Sequence, residues 1–372
     1  MRKAAAGWEE EYAKRFEMEG YKRGIGAPTV FHNKGAETRL VVHGDDFTFS
    51  GPRKELERIR RKMKEWYEIK DRGIMGSGKD EIKEVTILGR LLRWTEDGLE
   101  YEADPKHVQD LMEEEGLGDE SNTVVSPAVK PKAGTEDQEE EELTREEAKA
   151  FRGGAAKLNY LGHDRPDLQY ATKEICQGMA RPTVGGKTKI KRAVRFLAGS
   201  RRLAWSFAEF GGEERPMQLE VYVDSDWAGS TDRKSTSGGI ICIGGAAIKH
   251  WSRTQKARAL SSGEAEYYAV VTGSAEGLGA QSLATDLGWK FQCRIVVKTD
   301  SSAAKSVAGR RGLGRLRHVE LKYLWVQDAV AKGRISLKKI SGVHNPADIL
   351  TKPKDRTELG RLLCHVGARY VS

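Results

Sequence analysis

From Gln218 to the end of the chain, apolar β-branched runs and amphipathic stretches alternate in an order that admits few folds. Runs at Leu219–Val223, Ile240–Ile243 and Ala247–Trp251 predict three strands, and the stretch from Ser262 to about Leu287 predicts a helix. A strand at Arg294–Lys298, a short helix after Ser301, a helix near Val319–Ala331, a strand at Ile335–Ile340 and a terminal helix follow. A sheet buries its apolar faces under helices, so this order predicts a mixed sheet flanked by helices.

The upstream chain is patterned differently. Leu40–Val42 and Phe47–Phe49 flank His43-Gly44-Asp45-Asp46, a hairpin pattern with two carboxylates at its tip. Ser50 and Pro52 offer a cap and a first-turn proline to a helix carrying Leu56, Ile59, Met63 and Trp66 on one face. Val85–Trp94 predicts one further strand and Pro105–Glu115 a helix. Between Ser126 and Glu147 apolar residues thin out around Pro127, Pro131, Gly134 and the run Glu139–Glu142, which predicts a linker. It ends in a capping-box pattern, Thr144–Glu147, opening a helix with Ala148, Phe151, Ala155, Leu158 and Leu161 on one face. Helical segments continue to about Leu197, punctuated at Arg165-Pro166. The expected division is an α+β unit at 1–125, an acidic linker at 126–147, a helical connection at 148–215 and an α/β unit at 216–372. No internal repeat is visible, and 372 residues suit two or three domains of roughly 100–200 residues each.

Composition narrows the partners. The 63 Lys+Arg against 55 Asp+Glu leave a formal charge of +8, a bias toward polyanions. Cys176, Cys242, Cys293 and Cys364 are far apart, with no CxxC pair and no zinc-site spacing, which suits a reducing compartment. No run approaches 18 apolar residues, and MRKAAAGWEEEYAKRFEMEG lacks a signal-peptide core. A soluble cytoplasmic or nuclear chain, neither secreted nor membrane-spanning, is the expectation.

Four acids in the last unit fall where a folded layer could gather them. Asp224 ends the first strand, Glu266 lies in the long helix, Asp300 ends the fourth strand and Asp348 begins the expected terminal helix. Acids at the ends of apolar strands cost desolvation energy unless a positive charge balances them, and Mg²⁺ supplies it. Three or four such carboxylates can hold two Mg²⁺ ions a few Å apart for phosphodiester chemistry. Each acid taken singly is equally a turn former or an N-cap.

The stretches VYVDSDWAGSTDRKSTSGGIICIGG, WSRTQKARALSSGEAEYYAV, KTDSSAAKSVA, RHVELKYLWVQ and NPADILTKP resemble, in that order, the ribonuclease H domain of copia-type retrotransposon Pol polyproteins. Upstream, LVVHGDDFTFSG resembles the double-aspartate turn of the matching reverse transcriptase and VTILGRLL its later strand. NYLGHDRPDLQYATKEICQGMARPT with KRAVRFLAGS resembles the connecting region. The resemblance implies a truncated reverse-transcriptase palm and thumb at 1–125, a helical connection, and a ribonuclease H-like mixed sheet at 216–372. It implies hydrolysis of the RNA strand of RNA–DNA hybrids with two Mg²⁺ ions, or Mn²⁺ in their place. The partners would be the hybrid and other element-encoded chains. Asp224, Asp300 and Asp348 match the family's metal-binding aspartates. Glu264 and Glu266 lie about 200° apart on a helix, so only one can face the strand ends; Glu266, three residues before Ala269, is the first choice and Glu264 the second. The alternative is a non-catalytic nucleic-acid-binding remnant of a retroelement.

Other residues carry secondary expectations. Asp226 either joins Asp224 on one side of the strand or caps a turn, His318 touches phosphate or caps structure, and His344 either assists proton transfer, as the likeness to ribonuclease H enzymes implies, or has no part in the chemistry. Arg310, Arg311, Arg315, Arg317 and His318 form a basic loop that could track phosphates, or a solvated flexible loop. Lys187–Arg195 offers a core face and a second basic face. Trp227 and Trp251 are expected to pack. Only 44 residues precede Asp45, so the upstream carboxylate and fingers of a polymerase are expected to be missing, and Asp45 and Asp46 are expected to be relics of a polymerase site.

Overall fold

A computed structural model describes residues 2–103, 105–118, 122–129, 141–208, 218–230, 232–289, 294–314 and 316–371. Helix α1 (Arg2–Met18) and helix α2 (Arg53–Trp66) pack with an antiparallel sheet of β1 (Lys22–Arg23), β2 (Val30–Asn33), β3 (Thr38–His43) and β4 (Asp46–Ser50), in that order. Tyr12, Phe16, Phe31, Leu40, Ile59 and Met63 form the core between them. The β3–β4 hairpin forms where the sequence places it and exposes Asp45 and Asp46. Ser50 ends β4 and caps nothing; Pro52 stands at the N-cap of α2 without a side-chain bond.

The single strand expected at Val85–Trp94 is two, β5 (Glu84–Ile87) and β6 (Arg90–Thr95). Leu88 and Gly89 reverse the chain with φ of 50° and 70°, the double left-handed turn that matches strand twist. Strand β7 (Gly98–Ala103) extends the meander, followed by α3 (Pro105–Glu114), α4 (Arg145–Gly162), α5 (Pro166–Gln177), α6 (Val184–Gly199) and β8 (Arg202–Ala208). The Thr144–Glu147 capping box opens α4.

The last unit runs β9 (Gln218–Asp226), β10 (Thr236–Ile243), β11 (Ala246–Thr254), α7 (Ser262–Asp286), β12 (Arg294–Thr299), α8 (Ser302–Gly309), α9 (Trp325–Ala331), β13 (Ile335–Lys339), α10 (Arg356–Cys364) and β14 (Ala368–Val371). The sheet order is β11-β10-β9-β12-β13, with β9, β12 and β13 mutually parallel and β10 and β11 antiparallel. Asp348 does not begin the terminal helix. It sits in a 3-10 turn, Pro346–Leu350, started by Pro346 and capped by Asn345.

Period-two alternation gives this sheet two cores. Leu219, Val221, Val223, Ile241 and Ile243 face α7, while Ile240, Cys242 and Ala247 join Leu158, Leu168, Phe196, Leu197 and Leu363 of the helical layer. That layer also lies on a second antiparallel sheet, β14-β8-β7-β6-β5. Strand β7, which precedes the expected linker, therefore pairs with β8, which follows it, and β8 pairs in turn with β14. Within the linker, residues 130–140 lie outside the described set, while Arg192 and Arg195 donate to the carbonyls of Ser126 and Asn122. These arginines of the second basic cluster thus hold chain.

Two polar contacts tie the layers together. Asp286, at the end of α7, accepts hydrogen bonds from the backbone N–H groups of Ile25, Gly26 and Ala27 at 3.0, 2.9 and 2.8 Å, docking the N-terminal unit. Arg165, 2% exposed, grips Asp167 with two hydrogen bonds and donates to the carbonyls of Ser200 and Arg201, while Tyr370 of β14 donates to Asp167. Arg165→Met leaves the buried Asp167 charge without its guanidinium, with only the Tyr370 hydroxyl still donating to it, and should cost about 3–5 kcal/mol in urea unfolding; the Arg165→Met/Asp167→Leu double variant should recover part of it. A loss below about 1 kcal/mol would show the pair to be peripheral.

Candidate functional site

Parallel pairing of β9 with β12 sets their C-terminal ends side by side, and each end carries an acid. Asp224 lies near the end of β9, buried at 3% exposure, and Asp300 directly follows β12. Helix α7 crosses β9 and presents Glu266 in its second turn, where Glu266 Oε1 accepts from the backbone N–H of Ser225 at 3.2 Å. One carboxylate oxygen from each of Asp224, Glu266 and Asp300 lies within 4.8 Å of the others; among the described residues these three form the acidic group with metal-ligand spacing.

The fourth acid is adjacent but differently held. Opposite Asp224 on β10 stands Gly238, where a Cβ would come within 2.7 Å of Leu350 and 2.8 Å of Thr351. Its bare backbone lets the 3-10 turn lie on the sheet, and Asn345 pins that turn by donating to the carbonyl of Val223 at 2.9 Å. Thr351 then donates to Asp224, and Asp348 is ion-paired to Lys352 at 2.5 Å and to Lys354 at 2.7 Å. Asp348 stands outside the three-acid group.

Glu264 and Glu266 divide as the helix geometry requires. Glu264, 1% exposed, accepts from Leu260 N–H, Tyr268 O–H and His318 Nε2–H, at 3.0, 2.8 and 2.9 Å. Its oxygens are engaged away from the cluster. Glu266 Oε2 is buried and has no hydrogen-bond partner. Such an oxygen is costly unless a cation meets it, so the donor set fits a hard divalent ion such as Mg²⁺ or Mn²⁺.

Burial, then the neighbouring Asp224 and Asp300, pushes the Glu266 carboxyl up to about 8. Burial likewise raises Asp224, against the pull of Lys352, and raises Asp300, with Asp348 adding to it.

The remaining predicted residues scatter. Asp226 folds its carboxylate over the turn, where a Cβ on Gly229 would collide with it. Arg310 bends back to the carbonyl of Leu313, whereas Arg311 and Arg317 are exposed and His318 is tethered to Glu264. Arg315 lies outside the described residues. Gln327 staples this loop through both faces of its amide, to Gly312 and Val307. His344 is exposed on a 3-10 turn whose Gly342 lies against Asp300. Trp251 is buried, but Trp227 is 47% exposed with its indole N–H on the carbonyl of Ala259. Asp45 and Asp46 are remote on their hairpin. Sequence reasoning missed Thr351, Lys352 and Lys354; the first two stand in NPADILTKP with Asp348, where only the acid drew a role, and Lys354 directly follows it.

No protein-family model matches the chain. It is similar to the retrovirus-related Pol polyprotein from transposon RE1 of Arabidopsis thaliana, 32% identical over 223 residues, 59% of this chain and 15% of that protein. It is similar to that from transposon TNT 1-94 of Nicotiana tabacum, 33% identical over 199 residues, 52% and 14% respectively. The chain thus spans about a seventh of these relatives' length. Among solved structures, a foamy viral protease-reverse transcriptase in complex with RNA/DNA hybrid aligns over 82% of this chain and 36% of that one, at 12% identity and TM-score 0.43. LC11-RNase H1 in complex with RNA/DNA hybrid aligns over 36% and 93%, at 18% identity and TM-score 0.25. No helix of the described residues is long and apolar enough to cross a membrane.

A carboxyl whose pKa is raised on folding makes the folded state lose stability as pH climbs from the unfolded value, 4.5 for Glu266, toward about 8. Glu266→Gln should therefore stabilise the metal-free protein at pH 8 by about 1–3 kcal/mol, with the gain vanishing near pH 4. Thermal melts in a chelator at both pH values check this, and a pH-independent gain would exclude charge repulsion as its cause.

Proposed function

The chain is a homologue of the retrovirus-related Pol polyproteins of copia-type transposons, and from that premise we propose that its C-terminal unit is a ribonuclease H hydrolysing the RNA strand of an RNA–DNA hybrid. The observation that carries the proposal is the convergence of Asp224, Glu266 and Asp300, with one buried oxygen of Glu266 left without a protein partner.

Asp224, Glu266 and Asp300 would hold a divalent ion, and Asp348 would share a second with Asp224. Such ions supply positive charge against the scissile phosphate and make a water more acidic. Water attacks the RNA phosphate and the departing ribose oxygen takes up a proton. His344, exposed and on the turn that abuts Asp300, would give or relay that proton. Thr351 orients Asp224 by its hydrogen bond, and Asn345 fixes the turn that carries Asp348. Arg311, Arg317 and His318 would meet hybrid phosphates, His318 being aimed by Glu264, while the ribose 2′-OH in the shallow groove marks RNA from DNA.

DNA synthesis is not part of the proposal. Asp45 and Asp46 are exposed at a hairpin tip, and among the described residues no third acid joins them at ligand spacing, which supports their assignment as relics.

In Mg²⁺ the 372-residue chain should cleave the RNA strand of a labelled hybrid, and Asp300→Asn should lower the rate at least about 100-fold. Binding of hybrid without cleavage by either protein would establish the non-catalytic remnant instead. Primer extension by the same chain should give no incorporation; any Asp45-dependent extension would overturn the relic assignment.

A further inference from the structure

The four acids do not share one environment, and the difference comes from two lysines of a single segment. Lys354 Nζ lies 2.7 Å from Asp348 Oδ2 and 2.5 Å from Glu358, with its side chain 13% exposed. Lys352 Nζ lies 2.5 Å from Asp348 Oδ1 and 4.0 Å from Asp224 Oδ2, with its side chain 34% exposed. Lys354 is therefore braced between two carboxylates, and Lys352 is the one that can swing into solvent. Its ammonium stands between Asp348 and the acid cluster, where a second ion would find its ligands.

We infer that the Lys352 ammonium fills the second cation position, so that one divalent ion binds Asp224, Glu266 and Asp300 readily and a second binds only by displacing Lys352 from Asp348. The inference rests on reading the cluster as a divalent-metal site. An ammonium and a hard dication compete for the same carboxylate lone pairs, and the lysine competes from a tether, at high effective concentration. Lys354 keeps Asp348 in place while its neighbour leaves. Lys352 is thus a positioning residue that lets the site stand assembled without its full complement of ions and makes occupancy of the second position conditional on metal concentration.

Calorimetric titration of the full chain with Mn²⁺ tests this. Wild type should show one tight and one weak step, and Asp300→Asn should lose the tight one. Lys352→Gln should tighten the second step by about tenfold or more, since it removes a positive charge a few Å from the incoming ion, whereas Lys352→Arg should match wild type. Lys352→Gln curves that superimpose on wild type, or a weaker second step, would overturn the inference. A measurement on wild type alone guards against a misfolded variant. Trace acetylation read by mass spectrometry should show Lys352 becoming more reactive along the second Mn²⁺ step; constant reactivity through the whole titration also overturns it. Failure of the nuclease reading is distinguishable, because it appears as hybrid left uncut by wild type while both Mn²⁺ steps persist.

Discussion

Three carboxylates brought within 4.8 Å of one another repel, and the surrounding structure is organised around that repulsion. Parallel β9 and β12 force Asp224 and Asp300 together, and α7 adds Glu266 over the same strand ends. Burial of Asp224 and partial burial of Glu266 and Asp300 raise their proton affinity. The chain then spends one short segment, Asn345–Lys354, on relief: Thr351 donates to Asp224, and two ammonium groups neutralise Asp348. That segment can approach only because Gly238 has no side chain. A glycine on β10, a proline-started 3-10 turn and two lysines are thus consequences of the acids on neighbouring strands.

The same sheet serves two cores. Residues of odd and even position on β10 go to opposite sides, Ile241 and Ile243 toward α7 and Ile240 and Cys242 toward the helical layer. Cutting the chain near residue 215 would bare Ile240, Cys242, Ala247, Ile349 and Leu350 to water, and strand β14 would lose its partner β8. Helices α4, α5 and α6 therefore cover one face of the sheet that carries the acids, and Arg165 holds Asp167 and the carbonyls before β8 on that same side.

Much of this was legible in the residues, because periodicity reports burial. The strands of the last unit, the long helix and the hairpin at Asp45-Asp46 follow from alternating or helical spacing of apolar residues, and the capping box from its own local chemistry. What escaped was set by tertiary contact. Leu88-Gly89 reverses the chain without the Asn-Gly or Asp-Gly pair that signals such a turn, so two strands looked like one. Asp348 does not begin the expected terminal helix, because the turn opened by Pro346 closes after five residues and the helix waits for Asp355 to cap it. Lys352 stands four residues after Asp348 and Lys354 four before Glu358, spacings common on any solvated face, and the approach of Lys352 to Asp224 exists only once Asp224 and Asp348 meet across more than a hundred residues.

Glu264 and Glu266 show how a structure distinguishes two candidates that the sequence could only rank, Glu266 ahead of Glu264. Both are glutamates of one helix, two positions apart. Glu264 has its oxygens committed to Leu260, Tyr268 and His318, so binding an ion would break bonds already made. Glu266 commits one oxygen to Ser225 and leaves the other buried and unmet. In a folded protein an acceptor of that kind is destabilising in isolation, and its persistence beside two further acids is accounted for if a ligand completes it. The unmet oxygen of Glu266, more than the count of acids, is therefore what makes this donor set one that could hold a cation.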